Sequence, residues 1–373
     1  MAEPRSVVMG CDSHKLTVAC GVVDSVGKEV ATAVFGNDSA GFVRVLEWLQ
    51  ALDVAVDRVG IEGSANYGRH LATFLSAQGM DVREVPPIRT AQQRKRRRRP
   101  KTDRDDAIAI AKEVLADDRL PMAKPAMEVS DVQAELAVIS DRRRSLMRRR
   151  QRLLNEVEML LVKLPIAILE QIPGRTIAGR LRKLCRLLLD DADLSSAHTQ
   201  LVDWLTEMEQ ELSCWETKIR GLERTLSELT AESGTTLTEE IGIGVVSAAE
   251  LIAAVGDPTR FRSEGAFARW CGVAPVAVSS GEGDGPPTRH RLDRLGNREV
   301  NRILYTMSVT QARYFAPGQH FLARKKAEGK SPKEARRAHM RQLAKRVIRR
   351  MWADQRPQRQ AKASTEATSL AVA

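Results

Sequence analysis

Apolar and polar positions alternate loosely through residues 6–35. Val7-Val8-Met9 leads into Gly10-Cys11-Asp12, Leu16 to Val23 continues the alternation, Asp24-Ser25-Val26-Gly27 turns, and Glu29 to Phe35 returns. A period of two broken by turn residues predicts three strands in an antiparallel meander. The period then lengthens. Phe42, Val45, Leu46 and Leu49 share one face behind Ser39, which predicts a helix over 39–51 with Ser39 as its cap. Arg58 to Glu62 reads as a short strand, Tyr67 to Gln78 as a helix stopped by Gly79, and Asp81 to Val85 as a strand closed by Pro86-Pro87. Another helix opens near Thr102 and runs to Ala116. Three strands, helix, strand, helix, strand, helix is the order of a mixed α/β domain, placed over residues 1–125.

From residue 126 to 235 the pattern changes to a seam. Val132, Leu136, Ile139, Leu146, Leu153, Val157, Leu160 and Leu164 follow a four–three spacing, with Arg143 and Arg150 occupying two of its slots. A second stripe holds Leu201, Trp204, Met208, Leu212, Trp215, Ile219, Leu222, Leu226 and Leu229. Two long helices of this kind predict a coiled-coil-like arm. Residues 236–352 read as a mainly α C-terminal domain. Ile241-Gly242-Ile243-Gly244 followed by Val245 to Val255 resembles the second half of a helix-hairpin-helix, whose glycines let backbone N–H groups approach a phosphate. The polar, Ala/Ser/Thr-rich residues 353–373 are expected to form a tail without fixed structure.

Charge turns this outline toward a class of partner. The 373 residues carry a formal net charge of +11, which favours a polyanion. Seven arginines fall between Arg142 and Arg152, and twelve lysines or arginines fall within 324–350. No apolar run is long enough to span a membrane, and the N-terminus lacks a signal-peptide core, so a cytoplasmic, DNA-facing protein is expected. Aromatics are only 4% of the chain, which argues against base stacking as the main binding mode. The five cysteines form no CxxC pair, so neither a zinc site nor a disulfide framework is indicated.

Four carboxylates stand where α/β folds place ligands. Asp12 ends the first strand and Glu62 the fourth. Asp103 and Asp106 lie three apart at a helix start, on one side and within reach of the helix dipole. Asp105 lies about 100° away from Asp106 and is the weaker candidate. Each residue alone also reads as a turn, a surface acid or a cap. Brought together the four would repel, and two Mg²⁺ ions roughly 3.5–4 Å apart would offset this and support phosphoryl transfer. The basic run Arg94, Lys95, Arg96, Arg97, Arg98, Arg99 and Lys101 precedes Asp103 and suits a nucleic-acid backbone. Ser279-Ser280-Gly281 opens a Gly/Pro-rich loop, with Arg289, His290, Arg291 and Arg294 downstream to bind phosphate. A serine there needs activation, and from chemistry alone Ser-Ser-Gly reads as a turn.

These residues also resemble a known family. Gly10-Cys11-Asp12-Ser13-His14-Lys15, Gly60-Ile61-Glu62 and Lys101-Thr102-Asp103-Arg104-Asp105-Asp106-Ala107 are similar to the RuvC/RNase H-like Asp-Glu-Asp-Asp domain of the insertion sequence 110 family of transposases. Gly256-Asp257-Pro258-Thr259-Arg260-Phe261, Phe267-Ala268, Gly272-Val273-Ala274-Pro275, Ser279-Ser280-Gly281 and Arg294-Leu295-Gly296-Asn297-Arg298 resemble its second domain. The resemblance spans residues 6–120 and 236–315. It implies that Asp12, Glu62, Asp103 and Asp106 bind Mg²⁺ and that Ser280, with Ser279 as fallback, is a nucleophile held covalently to DNA until exchange. It implies a dimer or tetramer in which the acidic site and the serine come from different subunits. It also implies a structured non-coding bridge RNA that pairs with donor and target DNA, leaving the protein to read backbone and shape. The loop after Gly281 departs from the family pattern, with Glu282, Asp284 and Pro286-Pro287 where relatives are glycine-rich and basic. Alternatives with the same chemistry are a Piv-type DNA invertase and a RuvC-like junction nuclease without serine chemistry. A non-catalytic nucleic-acid-binding protein is the reading without any.

Overall fold

The computed structural model describes residues 5–86, 102–124, 132–187, 195–277, 290–291 and 296–372. The chain forms two compact units, one of residues 1–128 with 234–373 and one of residues 129–233.

The first unit is built on a five-stranded sheet. Strands β1 (Arg5–Ser13), β2 (Thr17–Asp24) and β3 (Glu29–Gly36) form the expected meander. Strand β4 (Val54–Glu62) and the short β5 (Val82–Val85) add in parallel on the other side of β1, giving the order β3-β2-β1-β4-β5. This is the mixed α/β sheet expected of the N-terminal region. Helix α1 (Ser39–Ala51) starts one residue differently from expectation: Asp38, not Ser39, is the cap, because its Oδ1 accepts from Gly41 N at 2.7 Å. Strand β4 begins four residues earlier than the apolar run suggested. Helix α2 (Arg69–Ala77) ends ahead of Gly79, whose φ of +81° is a left-handed conformation that glycine adopts without strain.

Both faces of the sheet are covered, so β1 reads as a continuous apolar run rather than an alternating one. Val7, Met9 and Cys11 face one way, into a core with Phe42, Val45, Leu71 and Leu75 of α1 and α2. Val8 faces the other way, toward helix α3 (Asp103–Ala116), and packs with Ile108, Ile110, Ala111 and Val114. On this second face Gly21, Gly10 and Gly60 are register partners across β2, β1 and β4. They form a shallow trough for α3. A Cβ on Gly10 would lie 2.2 Å from Ala107 O and 2.3 Å from Ala111 N. The helix backbone therefore rests directly on the strand.

The second unit holds helices α4 (Val132–Leu161), α5 (Ile166–Gln171), α6 (Ile177–Leu184) and α7 (Ser196–Glu232). The long α4 and α7 pack through Leu146, Leu153, Val157, Leu212, Ile219 and Leu222. The two arginine slots of the seam are filled by ion pairs. Arg143 Nη2 meets Glu223 Oε1 at 2.6 Å, and Arg150 Nη2 meets Glu216 Oε1 at 3.0 Å. One seam position differs from expectation: Trp204 is 46% exposed and Leu205 is fully buried. Leu205 continues the three–four spacing through Met208 and Leu212, whereas Trp204 lies about 100° off it.

The rest of the first unit is helical. A 3₁₀ turn (Leu237–Glu239) precedes α8 (Val245–Val255), a second (Pro258–Arg260) precedes α9 (Glu264–Trp270), and a two-residue ladder pairs β6 (Val276–Ala277) with β7 (His290–Arg291). Helices α10 (Arg298–Tyr314), α11 (Ala316–Ala327) and α12 (Pro332–Val372) complete it. Helix α12 runs on through residues 353–372.

Arg260 ties this helical portion to the sheet. Its guanidinium is buried, donates to Glu84 Oε2 at 2.9 Å and to Met122 O at 2.8 Å, and lies over the rings of Phe261 and Trp270. Trp270 Nε1 reaches the other oxygen of Glu84 at 3.4 Å. Among the described residues no helix is long and apolar enough to cross a membrane.

Candidate metal centre

The glycine trough determines where the acids sit. Gly10 and Asp12 lie on the same face of β1, two residues apart, as do Gly60 and Glu62 on β4. Asp12 and Glu62 are themselves register partners at the ends of these parallel strands. Helix α3, lying along the trough, brings its N-terminus to the same end of the sheet. Thr102 caps that helix, its Oγ1 accepting from Asp105 N at 3.1 Å and donating to Asp105 Oδ2 at 2.6 Å. The Asp105 carboxylate is thus engaged in the cap and exposed. Asp106 is 3% exposed and Asp12 8%, so both carboxylates are held largely out of water.

Asp12 and Asp103, 91 positions apart in the sequence, come together with a residue that the sequence reading passed over. Asp12, His14 and Asp103 each offer a ligand atom, and these atoms all lie within 4.8 Å of one another. His14 Nε2 is 3.2 Å from Asp12 Oδ2 and 3.4 Å from Asp103 Oδ1. Glu62 and Asp106 do not belong to this close group. Glu62 is beside Asp12 in the ladder, and Asp106 is one helical turn beyond Asp103. The signal for His14 was present as Asp-x-His at a strand end, where residues two apart share a side.

The loop that carries His14 is fixed at several points. His14 N donates to Thr17 O at 2.8 Å. Asn37 Nδ2 donates to His14 O at 2.7 Å and to Tyr67 O at 3.0 Å. The His14 Nε2 atom is buried and, among the described residues, makes no hydrogen bond of good geometry despite its closeness to the two carboxylates. The hydroxyls of Ser13 and Ser64 are likewise buried without a hydrogen-bond partner there. A ring nitrogen aimed at two carboxylates is the arrangement expected of ligands that converge on a cation. Carboxylate oxygens suit Mg²⁺, and one imidazole extends the set toward Mn²⁺. The donor set therefore fits a divalent ion. The dipole of α3 also favours the negative charge of Asp103 and Asp106 at its first turn.

Cys11 immediately precedes Asp12 and faces away from it. Its Sγ lies 3.7 Å from Cys20 Sγ across the β1–β2 ladder. That contact and complete burial push the Cys11 thiol well up, which leaves it protonated and part of the core rather than a nucleophile.

Other sequence candidates lie outside the described residues. These are Arg94, Lys95, Arg96, Arg97, Arg98, Arg99 and Lys101, the serines Ser279 and Ser280, and Arg289 and Arg294. Arg291 belongs to β7, where the strand alone is described.

Comparison with known proteins gives two family matches in chain order. Residues 9–165 match a transposase family, the DEDD transposase domain of IS110, and residues 234–323 match the family described as transposase IS116/IS110/IS902. The chain is 26% identical over 392 aligned residues to an insertion element IS116 uncharacterized 44.8 kDa protein of Streptomyces clavuligerus, covering 94% of this chain and 95% of that one. Among solved structures it is similar to Thermus thermophilus RuvC in complex with a Holliday junction substrate, at 20% identity and a TM-score of 0.23. That match covers 28% of this chain and 90% of RuvC. A second RuvC structure matches at 21% identity and the same TM-score of 0.23.

Proposed function

We propose, from the two family matches in chain order, that the chain is an IS110-family transposase that excises and inserts an insertion-sequence element by Mg²⁺-dependent DNA strand exchange with Ser280 as nucleophile. The observation that carries this reading is the convergence of Asp12, Asp103 and His14 within 4.8 Å at the strand ends, with Glu62 as the register partner of Asp12. A fold that only bound DNA would gain nothing by gathering carboxylates against a polyanion, since the two repel without a cation between them.

In this reading Asp12, Glu62, Asp103 and Asp106 hold two Mg²⁺ ions, with His14 beside them. Divalent ions at such a site supply Lewis-acid stabilisation of the oxygens entering and leaving phosphorus. Asp12 and Glu62 are fixed by the sheet, and Asp103 and Asp106 by the first turn of α3, so the acids are positioned before substrate arrives. The acidic site works with Ser280 of the partner subunit, which makes the active form a dimer or tetramer. The serine oxygen bonds to phosphorus, the bond to the leaving deoxyribose oxygen breaks, and the proton passes to that oxygen. Donor and target DNA are the substrates and a structured bridge RNA is the guide. The basic runs at 94–101 and Arg289, Arg291 and Arg294 hold backbone phosphates. The setting is the cytoplasm, on the nucleoid.

The test is recombination between element-end and target DNA in the presence of the flanking RNA. Asp12→Ala and Ser280→Ala are each expected to abolish recombination while RNA binding survives. A denaturing gel of the wild-type reaction is expected to show DNA covalently attached to protein. Normal recombination by Ser280→Ala would refute the covalent step. Inversion of a fixed segment, without excision, would assign the chain to the invertase reading instead.

A further inference from the structure

The seven arginines between Arg142 and Arg152 are divided into two sets by the structure. Arg143 and Arg150 turn inward to Glu223 and Glu216 of α7, and Arg144 pairs with Asp141 at 3.1 Å. Arg142, Arg148, Arg149 and Arg152 are exposed and have no ion pair with any described residue. Acid is not scarce nearby: α7 carries eight Asp or Glu residues against three Lys or Arg. The arm thus neutralises its inward arginines and leaves four outward ones uncompensated.

At 100° per residue, Arg148 lies at the centre of the outward face of α4, opposite the seam of Leu146, Leu153 and Val157, with Arg142 and Arg149 on one flank and Arg152 between. The four span about 15 Å along the axis. We propose that this face docks on the backbone of duplex DNA, with the four guanidinium groups along one arc of the helix meeting backbone phosphates. The B-form major groove is about 12 Å wide and admits a helix, whereas the A-form groove of duplex RNA is deep and narrow. Helix α4 contains no Phe, Tyr or Trp, so it offers no platform for stacked single-strand bases. The same face carries Ser145 and Val138 rather than residues that read base edges, so its contribution is affinity and orientation, not sequence. The proposal rests on the DNA-acting reading above and adds to it a surface remote in sequence from the acids and from Ser280.

The experiment is the salt dependence of binding by the full chain, without added RNA, to a duplex DNA and to a hairpin RNA of equal length. Each phosphate contact contributes roughly 0.9 to the slope of log K against log salt. The variant R142Q/R148Q/R149Q/R152Q is expected to lower the steepness for DNA by about 3 to 4. The control K218Q/R220Q/R224Q, which removes exposed cations from α7, is expected to change it by less than about 1. An unchanged circular dichroism spectrum and thermal midpoint would show that the arm is folded in both variants. An unchanged slope in the fourfold variant, an equal change in the control, or a greater effect on the hairpin RNA than on the DNA would each overturn the proposal. Failure of the wild-type chain to bind duplex DNA at all would overturn the DNA-acting reading as well.

Discussion

Gly10 and Gly60 stand side by side as register partners in the middle of β1 and β4, and helix α3 lies against both. The contact sets the height of the helix over the sheet, and so the approach of Asp103 to Asp12. The two glycines are not equivalent. A methyl group on Gly10 would meet the backbone of Ala107 and Ala111 at 2.2 and 2.3 Å, where nothing can yield without moving the helix. One on Gly60 would meet Val114 Cγ2 at 2.3 Å, a side-chain atom that can shift. Gly10→Ala is therefore expected to destabilise by about 4 kcal/mol or more, and Gly60→Ala by about 1–3 kcal/mol. Urea unfolding of the two variants checks the order. A milder effect at Gly10 would contradict this packing.

The Arg260–Glu84 pair joins residues 176 apart in the chain. Removing the guanidinium leaves Glu84, Met122 O and two aromatic faces without their cation. Arg260→Ala is expected to cost about 3 kcal/mol, and Arg260→Lys to recover only part of it, since an ammonium can donate to Glu84 and Met122 O but lacks the planar guanidinium that lies over Phe261 and Trp270. Thermal unfolding of both variants gives the measurement, and full rescue by Lys would argue against a contribution from the stacked guanidinium plane.

His339 is buried against Phe321, with Nδ1 3.0 Å from Ser308 Oγ. Burial, with Arg346 and Arg336 adding to it, pushes its pKa down to about 4. The ordinary value is about 6.5, so the unfolded chain takes up this proton first as pH falls. Its contribution to stability is full above pH 6.5, declines as pH falls from 6.5 to 4, and is gone below. The lost contribution is about 3 kcal/mol. Unfolding free energies at pH 7, 5.5 and 4 are expected to fall more steeply for wild type than for His339→Gln. Parallel curves would contradict the assignment.

A carboxylate cluster relieved of charge should be more stable alone and less responsive to metal. Asp12→Asn is expected to match or exceed the wild-type thermal midpoint in chelator, to lose the stabilisation of about 2.7 kcal/mol that the wild type gains at a hundredfold excess of Mn²⁺ over Kd, and to cleave DNA at least about 100-fold more slowly. Equal metal-induced stabilisation of both proteins would place the binding elsewhere.

Much of the N-terminal domain could be read from the sequence because its signals are local. Strand alternation, the helix start near Thr102 and the Gly79 stop each occupy a few adjacent residues. So did the placing of Asp12 and Glu62 at strand ends, because a strand's end is marked by its own turn. What could not be read depends on distant partners. Asp38 and Ser39 are both cap residues, and only the reach to Gly41 distinguishes them. Arg143 and Arg150 look like defects in an apolar seam until Glu223 and Glu216 arrive from another helix. Glu84 and Arg260 belong to separate sequence regions with no shared pattern. His14 needed the position of Asp103, which the glycine trough supplies and no periodicity encodes.

The most direct measurement of the central claim is an anomalous difference map from crystals grown with Mn²⁺. The account expects a peak bound by Asp12 and Asp103, with oxygen ligands at about 2.0–2.6 Å. A map with no peak at the ends of β1 and β4, under conditions in which the protein exchanges DNA strands, would contradict it.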